Sequence, residues 1–256
     1  MTAEDHRLAR DLATETGQRL LALRAEGGEP ASLRAAGDRS AHEYLMAELT
    51  RLRPDDAVLS EEGKDDPVRL SAERTWIVDP LDGTREFGEA GRTDWAVHVA
   101  LWERGQLTAG AVALPAQKET LSTAEPLASP PSGQPQAGPD SGGKQLRIVI
   151  SRSRPPAFIE RLAEATGAEL VPLGSAGAKV AAVVRGEVDA YVHAGGQYEW
   201  DSAAPVAVAR ASGFHASRID GSELTYNQAH PWMPDLLVCR PELAGMLLDA
   251  ISAAGE

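Results

Sequence analysis

Residues 124–144 are the strongest constraint on how this chain can fold. These 21 residues hold five prolines, four glycines and three serines, with almost no large apolar side chain. Proline removes a backbone donor, glycine raises the entropy cost of ordering, and nothing here can bury a core. The stretch is therefore expected to be a flexible loop between an N-terminal lobe, 1–123, and a C-terminal lobe, 145–256. At 256 residues the chain suits one compact unit with two lobes better than two full enzymes.

The N-terminal lobe reads as α+β. Leu8, Leu12, Leu20 and Leu23 predict a helix over 3–24, with Thr2 and Asp5 as a capping box and Gly27-Gly28 at its end. A second helix is expected over 38–52, carrying Leu45, Leu49 and Leu52 on one face and stopped by Pro54. Strands are expected over 57–60 and 75–79, a long hairpin over 94–114, and a further strand over 118–123. Beyond the loop, strand and helix alternate: strands over 146–150, 169–173 and 188–192, helices over 155–166, 175–185 and 201–211. That alternation is the mark of an α/β lobe.

Thirty-eight acids against 25 bases give a net charge of −13. Such a surface repels nucleic acid polymers and anionic membranes, unless some of the acids hold divalent metal. The single cysteine, Cys239, excludes an intramolecular disulfide and suits a reducing compartment. The charged N-terminus does not read as a signal peptide, and no apolar run approaches the ~18 residues of a membrane span. These points predict a cytoplasmic protein with neither nucleic acid nor membrane as partner.

The acids gather at four places. Glu61-Glu62 follows the short apolar strand. Asp79-Pro80-Leu81-Asp82-Gly83-Thr84 follows the buried run Trp76-Ile77-Val78. Glu199-Trp200-Asp201 opens a helix, and Gly37-Asp38 heads the second helix. Taken singly, each has a plain reading: Asp82-Gly83 as a turn, Asp201 and Asp38 as helix N-caps, Glu61-Glu62 as a solvated loop. Together they place carboxylates next to buried strands, where a charge left unpaired is costly and a metal ion satisfies it. Pro80 is expected to stop the strand ladder, so that Asp79 and Asp82 converge across a turn with the Leu81 carbonyl between them. That is a set of hard oxygen donors suited to Mg²⁺. Gly83 lets the backbone approach a ligand closely. Five of the six histidines, His42, His98, His193, His215 and His230, show no metal-ligand spacing and read as structural or exposed, and Cys239 reads as a small buried residue of a C-terminal strand.

Trp76-Ile77-Val78-Asp79-Pro80-Leu81-Asp82-Gly83-Thr84 resembles the first signature of the inositol monophosphatase superfamily of Mg²⁺-dependent, lithium-sensitive phosphatases. Trp200-Asp201-Ser202-Ala203-Ala204 resembles the second, and Ser60-Glu61-Glu62 its Glu-Glu element. Thr84-Arg85-Glu86-Phe87, Ile150-Ser151-Arg152-Ser153 and Gly174-Ser175 with Lys179 are similar to the CysQ branch, the 3′(2′),5′-bisphosphate nucleotidases. Gly37-Asp38-Arg39 and Asp94–His98 look most like its actinobacterial members.

The resemblance implies a layered αβαβα sandwich and hydrolysis of the 3′-phosphate of 3′-phosphoadenosine 5′-phosphate by metal-activated water. Two or three Mg²⁺ ions are implied: one on Glu61, Asp79 and the Leu81 carbonyl, one on Asp79, Asp82 and Asp201, and a weaker third at Glu61. Asp38 with Thr84 would orient and deprotonate the water, and the backbone of Gly83 and Thr84 would cradle the phosphate. Ser151, Ser175, Lys179 and Tyr198 are expected to contact the nucleoside or its second phosphate. Family relatives are often dimers, which makes a homodimer one expectation. The pattern departs from the family before Asp38, where Ala35 takes the place of a threonine. Inositol-1-phosphate or fructose-1,6-bisphosphate hydrolysis stands as the alternative, and a non-catalytic metal-binding relative as a third reading. Lys179 also reads as a snorkelling lysine and Tyr198 as a packing aromatic.

Overall fold

The computed structural model describes residues 3–128 and 145–255, so most of the proline- and glycine-rich loop expected over 124–144 lies outside the described residues. Helices α1 (Ala3–Glu26) and α2 (Pro30–Leu52) come first, then β1 (Ala57–Ser60), β2 (Arg74–Asp82), the short α3 (Thr84–Gly88), β3 (Ala96–Glu103), β4 (Gln106–Leu114) and β5 (Glu119–Ser122). After the undescribed segment run β6 (Arg147–Ser151), α4 (Ile159–Thr166), β7 (Glu169–Leu173), α5 (Ala176–Val184), β8 (Ala190–Tyr198), α6 (Glu199–Ala211), β9 (His215–Ser217), β10 (Trp232–Cys239) and α7 (Ala244–Gly255).

Strands β1 to β5 form one sheet in sequence order, with β1 parallel to β2 and antiparallel pairing thereafter. The second sheet has the order β7-β6-β8-β10-β9 and mixes parallel and antiparallel pairs. Three apolar cores separate five layers. One joins α1 and α2 to the outer face of the first sheet through Leu12, Leu20, Leu45, Leu49, Trp76 and Val78. A second fills the space between the sheets, where α5 and α6 lie, through Ile77, Ala100, Val180, Val183, Val206 and Leu236. The third packs α4 and α7 on the far face of the second sheet through Ile148, Leu162, Leu237 and Leu247. This is the expected αβαβα sandwich, and the middle helices touch both sheets.

Three local expectations need correction. Helix α2 starts at Pro30, not near Asp38: Glu29 caps it by accepting the Ser32 N–H at 2.9 Å, and Pro30 sits in the first turn where its missing donor costs nothing. Gly37 is therefore mid-helix. A Cβ there would lie 2.7 Å from the Phe87 ring, so glycine is what lets α2 approach α3. Pro80 does not end its strand. Strand β2 continues to Asp82 through a one-residue irregularity, with Asp79 opposite His98 and Asp82 opposite Ala96. Asp201 is not the N-cap of α6, which is Tyr198, but a residue of its first turn whose carboxylate accepts the Tyr198 N–H at 2.6 Å. The capping box expected at the first helix involves Thr2, outside the described residues; Asp5 instead pairs with Arg53 and Arg74. Among the described residues no helix is long and apolar enough to cross a membrane.

Candidate active site

Asp79 and Asp82 come from the end of β2, and Asp201 from the first turn of α6. One carboxylate oxygen of each lies within 4.8 Å of the others. On a regular strand, residues three apart face opposite sides. The irregularity between Asp79 and Asp82 turns both inward, so Pro80 re-aims a side chain rather than stopping a ladder. Glu61 lies just past β1, its N–H on the Val78 carbonyl at 3.3 Å. The residue as a whole is exposed, but its carboxyl end turns inward and is buried against Asp79, with which it shares a hydrogen bond.

The electrostatics show a group of acids crowded without a counter-charge. Burial, then the neighbouring Glu61, Asp82 and Asp201, push the Asp79 carboxyl well above the usual range. Glu61 is pushed up to about 7 and Asp201 to about 6, by burial first and by neighbouring carboxylates next. Two carboxyls in hydrogen-bond contact require a proton between them, and a divalent ion can replace that proton. Three or four hard oxygen donors at one point, destabilised by their own charge, fit a divalent cation.

Asp82 differs. Burial raises it, but the imidazole of His98, then Lys179 and the Ser175 hydroxyl, outweigh burial and hold it at about 2. Its Oδ2 accepts from the Ser175 Oγ at 2.5 Å and the Gly177 N–H at 2.8 Å, with His98 Nε2 at 3.2 Å. Among the described residues no donor falls on Oδ1, which leaves that oxygen for a ligand. Nothing in the spacing of His98 marks it as functional in the sequence. The ring is fully buried, and its signal was present only as an unexplained polar residue in an otherwise apolar strand.

Asp38 reaches the same site from α2. The Thr84 hydroxyl lies 3.1 Å from Asp38 Oδ1 and 3.0 Å from the Leu81 carbonyl. Burial, then the charge of Glu62, raises Asp38 to about 6. Gly83 has φ +84°, and a Cβ there would meet the Asp94 carbonyl, Ser175 and Trp95 at 3.2 Å.

These residues border a cavity of about 250 Å³ lined by Asp82, Gly83, Thr84, Ser151, Ser175, Lys179 and Asp201. Arg85, Arg154, His193 and Gln197 line it too; none is expected from sequence as a ligand contact, and His193 reads there as structural or exposed. Lys179 is buried, with Nζ donating to the Gly174 and Ser175 carbonyls at 3.0 and 2.7 Å and lying 5.2 Å from the Tyr191 ring. Burial pushes it down to about 8. The Ser151 Oγ accepts the Arg154 N–H at 3.1 Å. Tyr198 lies outside this lining, 46% exposed and stacked on Trp200 at 4.7 Å.

Ser175 serves two masters, capping α5 through the Ala178 N–H at 3.0 Å while holding Asp82. Ser175→Ala is expected to destabilise the protein by about 1–2 kcal/mol in thermal or urea unfolding. It is also expected to weaken metal binding, measured by titration calorimetry; unchanged affinity would exclude the second role.

The profile of the inositol monophosphatase family matches residues 6–255. A protein of Mycobacterium leprae named 3′-phosphoadenosine 5′-phosphate phosphatase is 50% identical, over 96% of this chain and 93% of that one. The 3′(2′),5′-bisphosphate nucleotidase CysQ of Escherichia coli K12 is 34% identical over 75% of this chain and 78% of its own. Among solved structures, CysQ from Bacteroides thetaiotaomicron superposes with a TM-score of 0.78 at 28% identity, over 93% of this chain and 97% of that one. Inositol monophosphatase II of Staphylococcus aureus gives 0.80 at 20% identity, covering 97% and 96%, a likeness of fold alone.

Proposed function

The chain belongs to the inositol monophosphatase family, and from that premise we propose that it is a Mg²⁺-dependent phosphatase that removes the 3′-phosphate of 3′-phosphoadenosine 5′-phosphate, leaving AMP and phosphate. The observation that carries the reading is the convergence of Asp79, Asp82 and Asp201, from two parts of the chain, beside a small polar cavity. The 50% identity to a phosphatase named for this nucleotide supports the substrate.

In this reading Glu61, Asp79, Asp82, Asp201 and the Leu81 carbonyl hold the metal, and their all-oxygen chemistry favours Mg²⁺ over softer ions. When bound, the metal supplies positive charge for the developing phosphate charge and makes water acidic enough to attack at neutral pH. The protein's own groups do the rest. Thr84 Oγ1 orients the water, and Asp38 Oδ1, raised to about 6, takes up its proton through that hydroxyl. The Gly83 and Thr84 N–H groups face the phosphate, where any side chain at 83 would intrude on neighbouring atoms. Arg85 and Arg154 supply cationic donors for a second phosphate at the same cavity, with Ser151 and Ser175 beside them. Lys179, engaged with two carbonyls, keeps a third N–H for ligand and fixes the turn that holds Ser175.

Phosphate release from 3′-phosphoadenosine 5′-phosphate, inositol-1-phosphate and fructose-1,6-bisphosphate tests the reading. The nucleotide is expected to be cleaved fastest, and Arg154→Ala to raise its KM by about tenfold, the usual worth of one charge-assisted contact, while inositol-1-phosphate changes little. Inositol-1-phosphate cleaved far faster than the nucleotide would overturn the substrate; no hydrolysis of any ester with Mg²⁺ present would overturn the activity.

A further inference from the structure

His98 lies on β3 facing the middle layer, fully buried, in a strand whose other inward residues are apolar or small. Nδ1 meets a carbonyl, and Nε2 makes a charge contact with a carboxylate that is not aligned as a hydrogen bond. Nε2 is 3.2 Å from Asp82 Oδ2, and Nδ1 is 3.1 Å from the carbonyl of Trp200, 102 residues further along the chain. Trp200 immediately precedes Asp201 in the first turn of α6. The ring thus touches the carboxylate at the end of β2 and the backbone that carries the opposing carboxylate. The packing is built around it: a Cβ on Gly177 would lie 2.1 Å from His98 Nε2, while the Gly177 N–H shares Asp82 Oδ2 with the ring.

We propose that His98 is a positioning residue that sets the distance between Asp82 and Asp201, and hence the metal affinity of the site, by bridging β2 to the first turn of α6. The inference rests on the metal-dependent reading above. Asp82 keeps two other donors without the ring, from Ser175 and Gly177, so its carboxylate is still anchored. What is lost without His98 is the polar contact from Asp82 through the ring to the Trp200 carbonyl, while α6 still packs on β2 and β3. Groups that orient metal ligands from behind typically change metal affinity 10- to 100-fold when removed.

The test uses the full-length protein and Mn²⁺ as a spectroscopic stand-in. Free Mn²⁺ is counted by electron paramagnetic resonance in the absence of substrate, and the Mg²⁺ dependence of turnover is measured separately. His98→Ala is expected to weaken Mn²⁺ binding at least ~10-fold and to raise the half-saturating Mg²⁺ concentration in parallel, while KM for the phosphate ester at saturating Mg²⁺ moves less than about twofold. His98→Gln, which retains one amide donor, should recover part of the affinity. Gly177→Ala, which drives a methyl into the imidazole, should weaken Mn²⁺ in the same sense and add little on top of His98→Ala.

A folded His98→Ala protein with wild-type Mn²⁺ affinity overturns the role. Should that variant fail to fold, unchanged affinity in Gly177→Ala overturns it equally. Wild-type protein that binds no Mn²⁺ and hydrolyses its ester in chelator overturns the metal reading, and this role with it. Metal binding in the wild type with no loss in the variants overturns the role of His98 alone.

Discussion

Asp79→Asn is expected to abolish turnover and, in the same protein freed of metal, to raise the melting temperature. The two effects have one origin. Asp79 is buried against Glu61, Asp82 and Asp201, and its carboxyl is pushed well above the ordinary range because its charge is unwelcome there. An amide of the same shape takes up no proton on folding, so the metal-free fold is relieved of that cost. It also removes the central donor of the cluster, and with it the electrostatic platform of the reaction. A loss of at least about 10³-fold in kcat/KM is expected, comparable with deleting a key electrostatic group elsewhere. Differential scanning fluorimetry in chelator and phosphate release in Mg²⁺ read the two arms. An active Asp79→Asn enzyme would remove Asp79 from the metal set. An inactive one that melts lower than wild type without metal would mean that the buried carboxyl stabilises the fold.

The second large effect is a reversal of pH dependence by metal. Glu61 at about 7, Asp201 and Asp38 at about 6, and Asp79, raised well above its ordinary range, all bind a proton more tightly when folded than in the unfolded chain, where carboxyls titrate near 4. A group whose pKa is raised by folding contributes stability while protonated and loses it as pH climbs through the folded value. The metal-free protein is therefore most stable near pH 5 and weakens towards pH 8. His98, raised on balance because Asp82 outweighs burial, acts in the same sense. Glu199, raised by burial, acts in the same sense; His193 and His215 are lowered by burial and act oppositely, but they are two against six. Carboxyls held low by arginine or backbone donors, such as Asp65 and Glu29, titrate below this window.

In chelator, the melting temperature is expected to fall by roughly 5 °C between pH 5.5 and 8. Saturating Mg²⁺ should raise it most at pH 8, where the metal competes with the fewest protons, and so flatten or invert the slope. A melting temperature in chelator that climbs steadily from pH 5.5 to 8 would contradict the crowded-carboxylate account.

The five-layer fold was legible in advance because most of its elements announce themselves by period: leucines at helical spacing in α1, alternation in the β3–β4 hairpin, strand and helix in turn after residue 145. The starts of α2 and the end of β2 were not. Gly37 and Pro80 carry strong local signals for breaking structure, and tertiary context overrode both. Gly37 is small because Phe87 packs on it, and Pro80 sits in an irregularity of the ladder. The acids that converge were readable because carboxylates next to buried strands stand out in any sequence. The residues that hold them were not. His98 became informative only when strand pairing set it opposite Asp79 and packing set it against Asp82 and Trp200. Tyr198, expected to contact the nucleoside, stacks on Trp200.

The middle layer carries a consequence for the chain as a polymer. Helices α5 and α6 belong to the second half of the sequence yet bury the inner face of a sheet made by the first half. A fragment ending before β6 would expose that apolar face and hold Asp79 and Asp82 without Asp201. A fragment starting at β6 would hold Asp201 alone. During synthesis, then, a ribosome-bound first half carries Asp79 and Asp82 without Asp201, and its inner face waits uncovered for α5 and α6. The three-carboxylate cluster closes only when α6 docks.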